Sequence, residues 1–166
     1  MPVRPVLRYP HPVLKTPAPP SAAVGEEHHV LAADLVETMQ AGPATVGLAA
    51  PQIGATVRAF AMDVTGHPRA TSAHGLLVMF DPVVVERGEP HVAREGCLSV
   101  PDLTANVWRP RWVAVRGLDP DGRTRVYRFE GFEARAAMHE IDHLDGLLIL
   151  DRVRSAGDVF ARKVYR

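Results

Sequence analysis

Met138-His139-Glu140-Ile141-Asp142-His143-Leu144-Asp145-Gly146 contains His-Glu-x-x-His, two imidazoles one helical turn apart with a carboxylate beside the first. On a helix, positions i and i+4 project from one face, so His139 and His143 would point the same way. Two neutral imidazoles so placed can hold one divalent metal, and the neighbouring glutamate can take a proton from water held there. The flanks suit a helix over Phe132 to Asp145. Gly131 breaks the preceding strand, Glu133 falls in the favoured first turn, and Gly146 suits the left-handed residue after the helix end. The bland alternative is a helix whose histidines merely cover a polar face.

A catalytic metal of this kind takes three protein ligands and keeps one position open. Two zinc-protease patterns could complete the motif. One continues as His-x-x-Gly-x-x-His; Gly146 fits its glycine, but the last histidine would fall at Ile149. The other takes a glutamate from a following helix, and no glutamate occurs after Glu140. Upstream, Cys97 is the only cysteine, and a thiolate is a better ligand for a soft metal than a carboxylate. A lone cysteine is usually a small buried hydrophobe. Beside an unfinished two-histidine site, it becomes the candidate third ligand.

Further outward, residues 1–20 hold seven prolines, which oppose helix and predict an extended arm. Val6, Leu7, Val13 and Leu14 suggest that the arm lies on the domain. Ser21 to Gln40 reads as a first helix, with Ser21 as N-cap and Leu31, Leu35 and Met39 at helical spacing. His28 and His29 are read as part of its solvated face. The small-residue, uncharged run Ala44 to Gly54 contains one amide, Gln52. It is either a buried connection or a loop that lines a pocket with backbone groups and that amide.

Strands are expected at Val57 to Val64, at Leu76 to Phe80, and from Val83 to Glu86 beyond an Asp81-Pro82 bend. Further extended chain is expected at Val107 and from Trp112 to Leu118, which pairs across the Asp119-Pro120-Asp121-Gly122 turn with Thr124 to Phe129. Asp151 to Arg166 is a polar, partly basic tail in which Val159-Phe160 and Val164 could dock as a last short helix. The pattern predicts an α+β fold: antiparallel or mixed strands around a central metal-binding helix near the C-terminus, with a helix near the N-terminus.

Composition bounds the function. At 166 residues, a single domain over residues 1–166 is expected, with residues 1–20 as arm and 151–166 as tail. Nineteen Lys+Arg balance nineteen Asp+Glu, which gives no reason to expect nucleic acid or a membrane surface as partner. The chain contains no apolar run of the ~18 residues a membrane span requires. One cysteine excludes an internal disulfide, and the start lacks a signal-peptide profile, so a cytoplasmic enzyme is expected.

Three segments carry a family resemblance. Glu95-Gly96-Cys97-Leu98-Ser99, His139-Glu140-Ile141-Asp142-His143-Leu144 and Gly47-Leu48-Ala49-Ala50-Pro51-Gln52 resemble the signature motifs of peptide deformylase, in that family's order and approximate spacing. Tyr9 to Leu14, the Asp81-Pro82 bend, the Leu118-Asp119 hairpin and Leu147 to Asp151 extend the resemblance over most of the chain. It implies a hydrolase that removes the N-formyl group from the initiator methionine of new bacterial polypeptides and releases formate. Cys97, His139 and His143 would hold one divalent metal, Fe2+ in the cell by family habit, with Zn2+, Ni2+ or Co2+ able to take its place. Glu140 would be the general base, and Gln52 and the Leu98 N–H the oxyanion donors. Val46 and Gly47 would pair with the extended peptide, and Phe132, Ala136 and the His139 ring would line the methionine pocket. Glu95, Arg109 and Asp142 would form a buried charge network behind the ligands. N-formylmethionyl peptides and nascent chains are the expected partners of a monomer, with the tail a candidate for ribosome contact.

The sequence departs from the family pattern at Thr45, where glycine is usual, at Met138, where glutamine is usual, and at Thr104, where many members carry an arginine that helps hold the peptide. Two other readings compete: a metallopeptidase that cuts internal bonds, and a non-catalytic peptide- or ribosome-binding relative. The absent third ligands argue against the first, and Glu140, which binding alone would not require, argues against the second.

Overall fold

The computed structural model describes residues 3–21 and 23–162. The fold is α+β. A five-stranded sheet in the order β1-β2-β3-β6-β7 and a three-stranded sheet in the order β4-β5-β8 are built entirely from antiparallel pairs. The strands are β1 (Gly47–Ala49), β2 (Ala59–Met62), β3 (Leu77–Arg87), β4 (Pro90–Cys97), β5 (Val100–Pro110), β6 (Trp112–Leu118), β7 (Thr124–Glu130) and β8 (Val159–Ala161). The helices are α1 (Glu26–Ala41) and α2 (Gly131–Leu144).

Strand β2 explains why the larger sheet lies between the two helices. Its four residues are all buried, and alternate side chains point to opposite faces. Ala59 and Ala61 join Leu31, Leu35 and Met39 of α1 in one core, while Phe60 and Met62 join Ala137, Ile141 and Leu144 of α2 in another. Small alanines on the α1 side let that helix approach closely. A third core lies under the smaller sheet, where Leu14, Val100, Ala105, Val107, Leu148 and Ile149 surround Cys97.

Helix α1 begins at Glu26 with Gly25 as its N-cap, later than the expected cap at Ser21. The Ser21 N–H is held by both carboxylate oxygens of Asp81, at 2.9 and 3.1 Å, which ties Ser21 to β3. The Gly25 N–H donates instead to Nδ1 of His28 at 2.9 Å. His28 is therefore a buried capping residue and not part of a solvated face. The expected bend at Asp81-Pro82 is a register shift between Phe80 and Val83 inside one continuous strand, with Asp81 at φ 50°. Such an irregularity re-aims the strand without ending it. Val159-Phe160 forms a strand instead of a helix, pairing with the edge of β5 and satisfying backbone groups that would otherwise remain open. Val164, and the basic run from Lys163 to Arg166, lie outside the described residues.

The arm is docked, as its apolar residues suggest. Leu14 is fully buried within a 3-10 turn over Pro12–Lys15. The Leu7 N–H donates to the Gln52 carbonyl at 2.7 Å, the Tyr9 N–H to the Ser99 carbonyl at 2.8 Å, and the Ala18 N–H to the Leu144 carbonyl at 2.9 Å. Gly146, at φ 75°, ends α2 where the arm crosses; a Cβ there would lie 2.9 Å from the Lys15 carbonyl.

Candidate metal centre

Helix α2 presents His139 and His143 on one face, with ring centroids 5.0 Å apart. Cys97 arrives from the end of β4, where the pairing with β5 shifts register between Gly96 and Cys97. The donor atoms of Cys97, His139 and His143 all lie within 4.8 Å of one another, and the Cys97 Sγ is 3.4 Å from His143 Nε2. One thiol and two imidazoles that converge in this way form a group able to hold a metal ion. Burial opposes ionisation of the Cys97 thiol, but His143 and His139 outweigh it and pull the thiol well below its usual range, toward the thiolate a metal needs.

The imidazole of His139 is held from behind. Its Nδ1 lies 2.8 Å from Glu95 Oε1, which leaves Nε2 for the donor cluster. Burial lowers the affinity of His139 for a proton, yet Cys97 and Glu95 raise its pKa well above the ordinary value. Glu95 also accepts two hydrogen bonds from Arg109, from Nε and Nη2, each at 3.0 Å. Arg109 reaches across to Asp142 through Nη1, and Asp142 is clasped by Arg152 at 2.8 and 3.0 Å. This buried chain of charges joins β4, β5 and α2. Against the cost of burial, His139 and Arg109 hold Glu95 far below the usual carboxylate range, and Arg152 and Arg109 lower Asp142. Burial opposes the charge on Arg109 too, but Glu95 and Asp142 raise its pKa.

A cavity of about 570 Å³ opens beside this group and is lined by Val46, Gly47, Gln52, Glu95, Cys97, Leu98, Phe132, Ala136, His139 and Glu140. Glu140 is 4% exposed, and among the described residues its Oε2 has no hydrogen-bond partner. Burial raises its pKa, which His139 and His143 oppose. Its carboxylate rests on the backbone of Gly47, where a Cβ would lie 2.7 Å from Oε1. Gln52 is locked in place: its Oε1 accepts the Ala49 N–H at 3.0 Å, and its Nε2 donates to Ser99 Oγ at 3.1 Å and points at Cys97 Sγ from 3.7 Å. The run from Ala44 to Gly54 therefore lines a pocket as well as burying a connection.

A family model described as polypeptide deformylase matches residues 3–158. The chain belongs to that family. It is 39% identical over 150 residues to the peptide deformylase of Dictyoglomus thermophilum, covering 90% of this chain and 92% of that one. The crystal structure of the Thermotoga maritima peptide deformylase superposes with a TM-score of 0.84 at 33% identity, over 93% of this chain and all of that one. That of the Ehrlichia chaffeensis peptide deformylase in complex with actinonin gives 0.86 at 30% identity, over 93% and 91%.

Within the deformylase fold, the residues singled out by sequence fall into two layers. Val46, Gly47, Gln52, Leu98, Phe132, Ala136 and Glu140 surround the cavity, while Arg109 and Asp142 stand behind the donors. Of the three departures, Thr45 lines the cavity and donates its hydroxyl to the Pro43 carbonyl at 3.3 Å. Met138 is buried in the apolar core against the five-stranded sheet. Thr104 Oγ1 accepts from Arg94 Nη1 at 3.5 Å.

Three participants escaped the sequence reading. Arg135 donates to Glu95 at 2.6 Å and to the carbonyls of Val107 and His91. Its signal was an arginine one turn before His139 on a helix otherwise rich in alanine. Ser99 links Gln52 to the Leu7 carbonyl, and Arg152 completes the pairing of Asp142.

Proposed function

We propose that this chain removes the N-formyl group from the N-terminal methionine of newly made polypeptides, with Cys97, His139 and His143 holding one divalent metal and Glu140 acting as general base. The observation that carries the reading is the pairing of that donor group, whose Cys97 and His139 line the cavity, with the buried carboxylate of Glu140 on the same wall, whose Oε2 has no partner among the described residues. A divalent metal bound there supplies Lewis acidity toward water and the formyl oxygen. Glu140 accepts a proton from the attacking water and later delivers it to the amine nitrogen as the C–N bond breaks and formate leaves. Burial, which raises its pKa, suits it to carry the proton between those steps.

Gln52 is oriented by the Ala49 N–H, so its Nε2 can donate to the developing oxyanion without first reorganising, and the Leu98 N–H is the second donor. Val46 and Gly47 lie at and just before the start of β1, where an extended peptide can add to the sheet. Phe132, Ala136 and the His139 ring line the cavity and would receive the methionine side chain. Glu95 fixes the His139 tautomer, and Arg109, paired with both Glu95 and Asp142, keeps the β4 ligand loop in register with α2.

Fe2+ is the proposed resident metal. A thiolate with two imidazoles also accepts Zn2+, Ni2+ or Co2+. The proposal includes a cytoplasmic monomer that meets N-formylmethionyl nascent chains, with the tail as the segment for ribosome contact; among the described residues no helix is long and apolar enough to cross a membrane. Formate release from formyl-Met-Ala-Ser by anaerobically prepared, iron-loaded protein tests the reading. Metal-replete protein that releases no formate contradicts it.

A further inference from the structure

The cavity has a lip of positive charge that no carboxylate among the described residues neutralises. Strand β8 pairs with β5 through Leu103↔Ala161 and Thr104↔Phe160, and the Arg162 N–H donates to the Asp102 carbonyl at 2.9 Å, which fixes the backbone of Arg162 at the cavity. Its guanidinium lies across Gly96: a Cβ there would meet Nη2 at 2.1 Å and Cζ at 3.2 Å. The charge is thus seated one residue from Cys97, in space that only a glycine leaves free. Arg94 is held nearby, its guanidinium 3.5 Å from the centroid of the Phe160 ring and its Nε donating to Asn106 Oδ1 at 3.2 Å. Arg69 donates to the Arg94 carbonyl at 3.3 Å.

All three arginines line the cavity and are exposed. Among the described residues none of them pairs with a carboxylate. The cavity's own carboxylates do not neutralise them. Glu95 is taken by Arg109, Arg135 and His139, and Glu140 rests against Gly47 in the interior. General basicity does not account for this charge, since the chain carries equal numbers of acidic and basic residues. Cations at the mouth of a concave site draw in and orient anionic groups, and a guanidinium fork matches a carboxylate.

We propose that Arg162, with Arg94 and Arg69, selects formyl-methionyl peptides that carry an acidic side chain in one of the two residues after methionine. The proposal rests on the deformylase reading of the cavity. Arg162 is here a specificity residue, acting on the part of the peptide that leaves the cavity and not on the formyl group.

The test compares kcat/KM for C-terminally amidated formyl-Met-Asp-Ala and formyl-Met-Ala-Asp with that of their Asn counterparts, and adds formyl-Met-Ala-Asn with a free carboxyl terminus. At low ionic strength the Asp/Asn ratio is expected to reach about fivefold for at least one position, the size of one exposed charge pair. It should fall toward one in 1 M salt, where the Debye length is about 3 Å. R162A should bring the ratio close to one, and R162E should invert it. Ratios within twofold of one at both positions, or a ratio that R162E leaves unchanged, overturn the proposal. A preference for the free carboxyl terminus with no Asp/Asn discrimination overturns it as well, because the arginines then read a chain end. Formate released equally from all peptides defeats only the arginine lip; formate released from none defeats the deformylase reading and this inference with it.

Discussion

Replacing Gly47 by alanine should disable the proposed base without touching the metal donors. The new Cβ would lie 2.7 Å from Glu140 Oε1 and 3.0 Å from its Cγ and Cδ, whereas ordinary contact begins near 3.4 Å. The carboxylate would have to retreat by roughly 0.7 Å. A solvated glutamate would swing aside at little cost, but Glu140 is 4% exposed, and His139 and His143 flank it on the same helix. Misplacing a reacting group by about 1 Å costs on the order of a hundredfold in rate. We therefore expect kcat for formyl-Met-Ala-Ser to fall by about 30- to 100-fold. KM should change by less than about threefold, because the Gly47 backbone groups that would meet the peptide remain. Overpacking costs about 1–3 kcal/mol, which lowers Tm by about 2–12 °C in a chain of this size. The assay is steady-state formate release, with metal content and a thermal melt on the same sample. A kcat within twofold of the parent, with full metal occupancy, would contradict this placement of Glu140 against Gly47. Loss of metal along with activity would also refute it, since the damage would then lie in the donor set.

Arg109→Leu should destabilise the protein by about 1–3 kcal/mol, because Glu95 and Asp142 lose their shared buried donor, although Glu95 keeps Arg135 and His139 and Asp142 keeps Arg152. It should also weaken metal retention by about 10- to 100-fold; unchanged Tm and metal content would remove the network from the account. Complete chelation should stop formate release, and anaerobic Fe2+ should restore it; turnover by protein shown to be metal-free would exclude the proposed metal role. Asp151 joins the arm to the segment after α2. Burial opposes its ionisation, but the Lys15 ammonium and the Leu148 N–H hold its carboxyl below the ordinary value. A depressed carboxyl contributes stability that is present above its unfolded pKa of about 4 and is lost as pH falls through the folded value. Asp151→Asn should therefore lower Tm at pH 5–8, and the gap from the parent should shrink as pH falls below about 4; a gap that does not narrow in acid would place the effect elsewhere.

The chemistry was legible because it is local. His139, Glu140 and His143 fit within one helical turn, and a periodicity argument places them on one face. Cys97 could be reached because no later histidine or glutamate competes with it. What stayed hidden depends on contacts distant in sequence. Strand β5 was visible only at Val107, since its inward face runs Ala105, Val107, Arg109, and a buried arginine interrupts the apolar alternation that marks a strand. The same arginine is explained once Glu95 and Asp142 are seen on either side of it. Ser21 carries the side chain of an N-cap, but Asp81, sixty residues on, claims its N–H, so Gly25 caps α1 instead. Strand β8 exists because β5 offers an edge, which the tail sequence does not reveal. Arg135 was passed over because helical arginines are mostly solvated; only the packing of α2 against β4 and β5 turns this one inward.

The most direct test of the account is formate release from formyl-Met-Ala-Ser by iron-loaded protein, measured in parallel with Glu140→Gln. Metal-dependent formate release by the parent is expected, with a loss of at least about a hundredfold in kcat for the variant at unchanged metal content. Metal-replete parent that releases no formate, or a variant that turns over as the parent does, would contradict it.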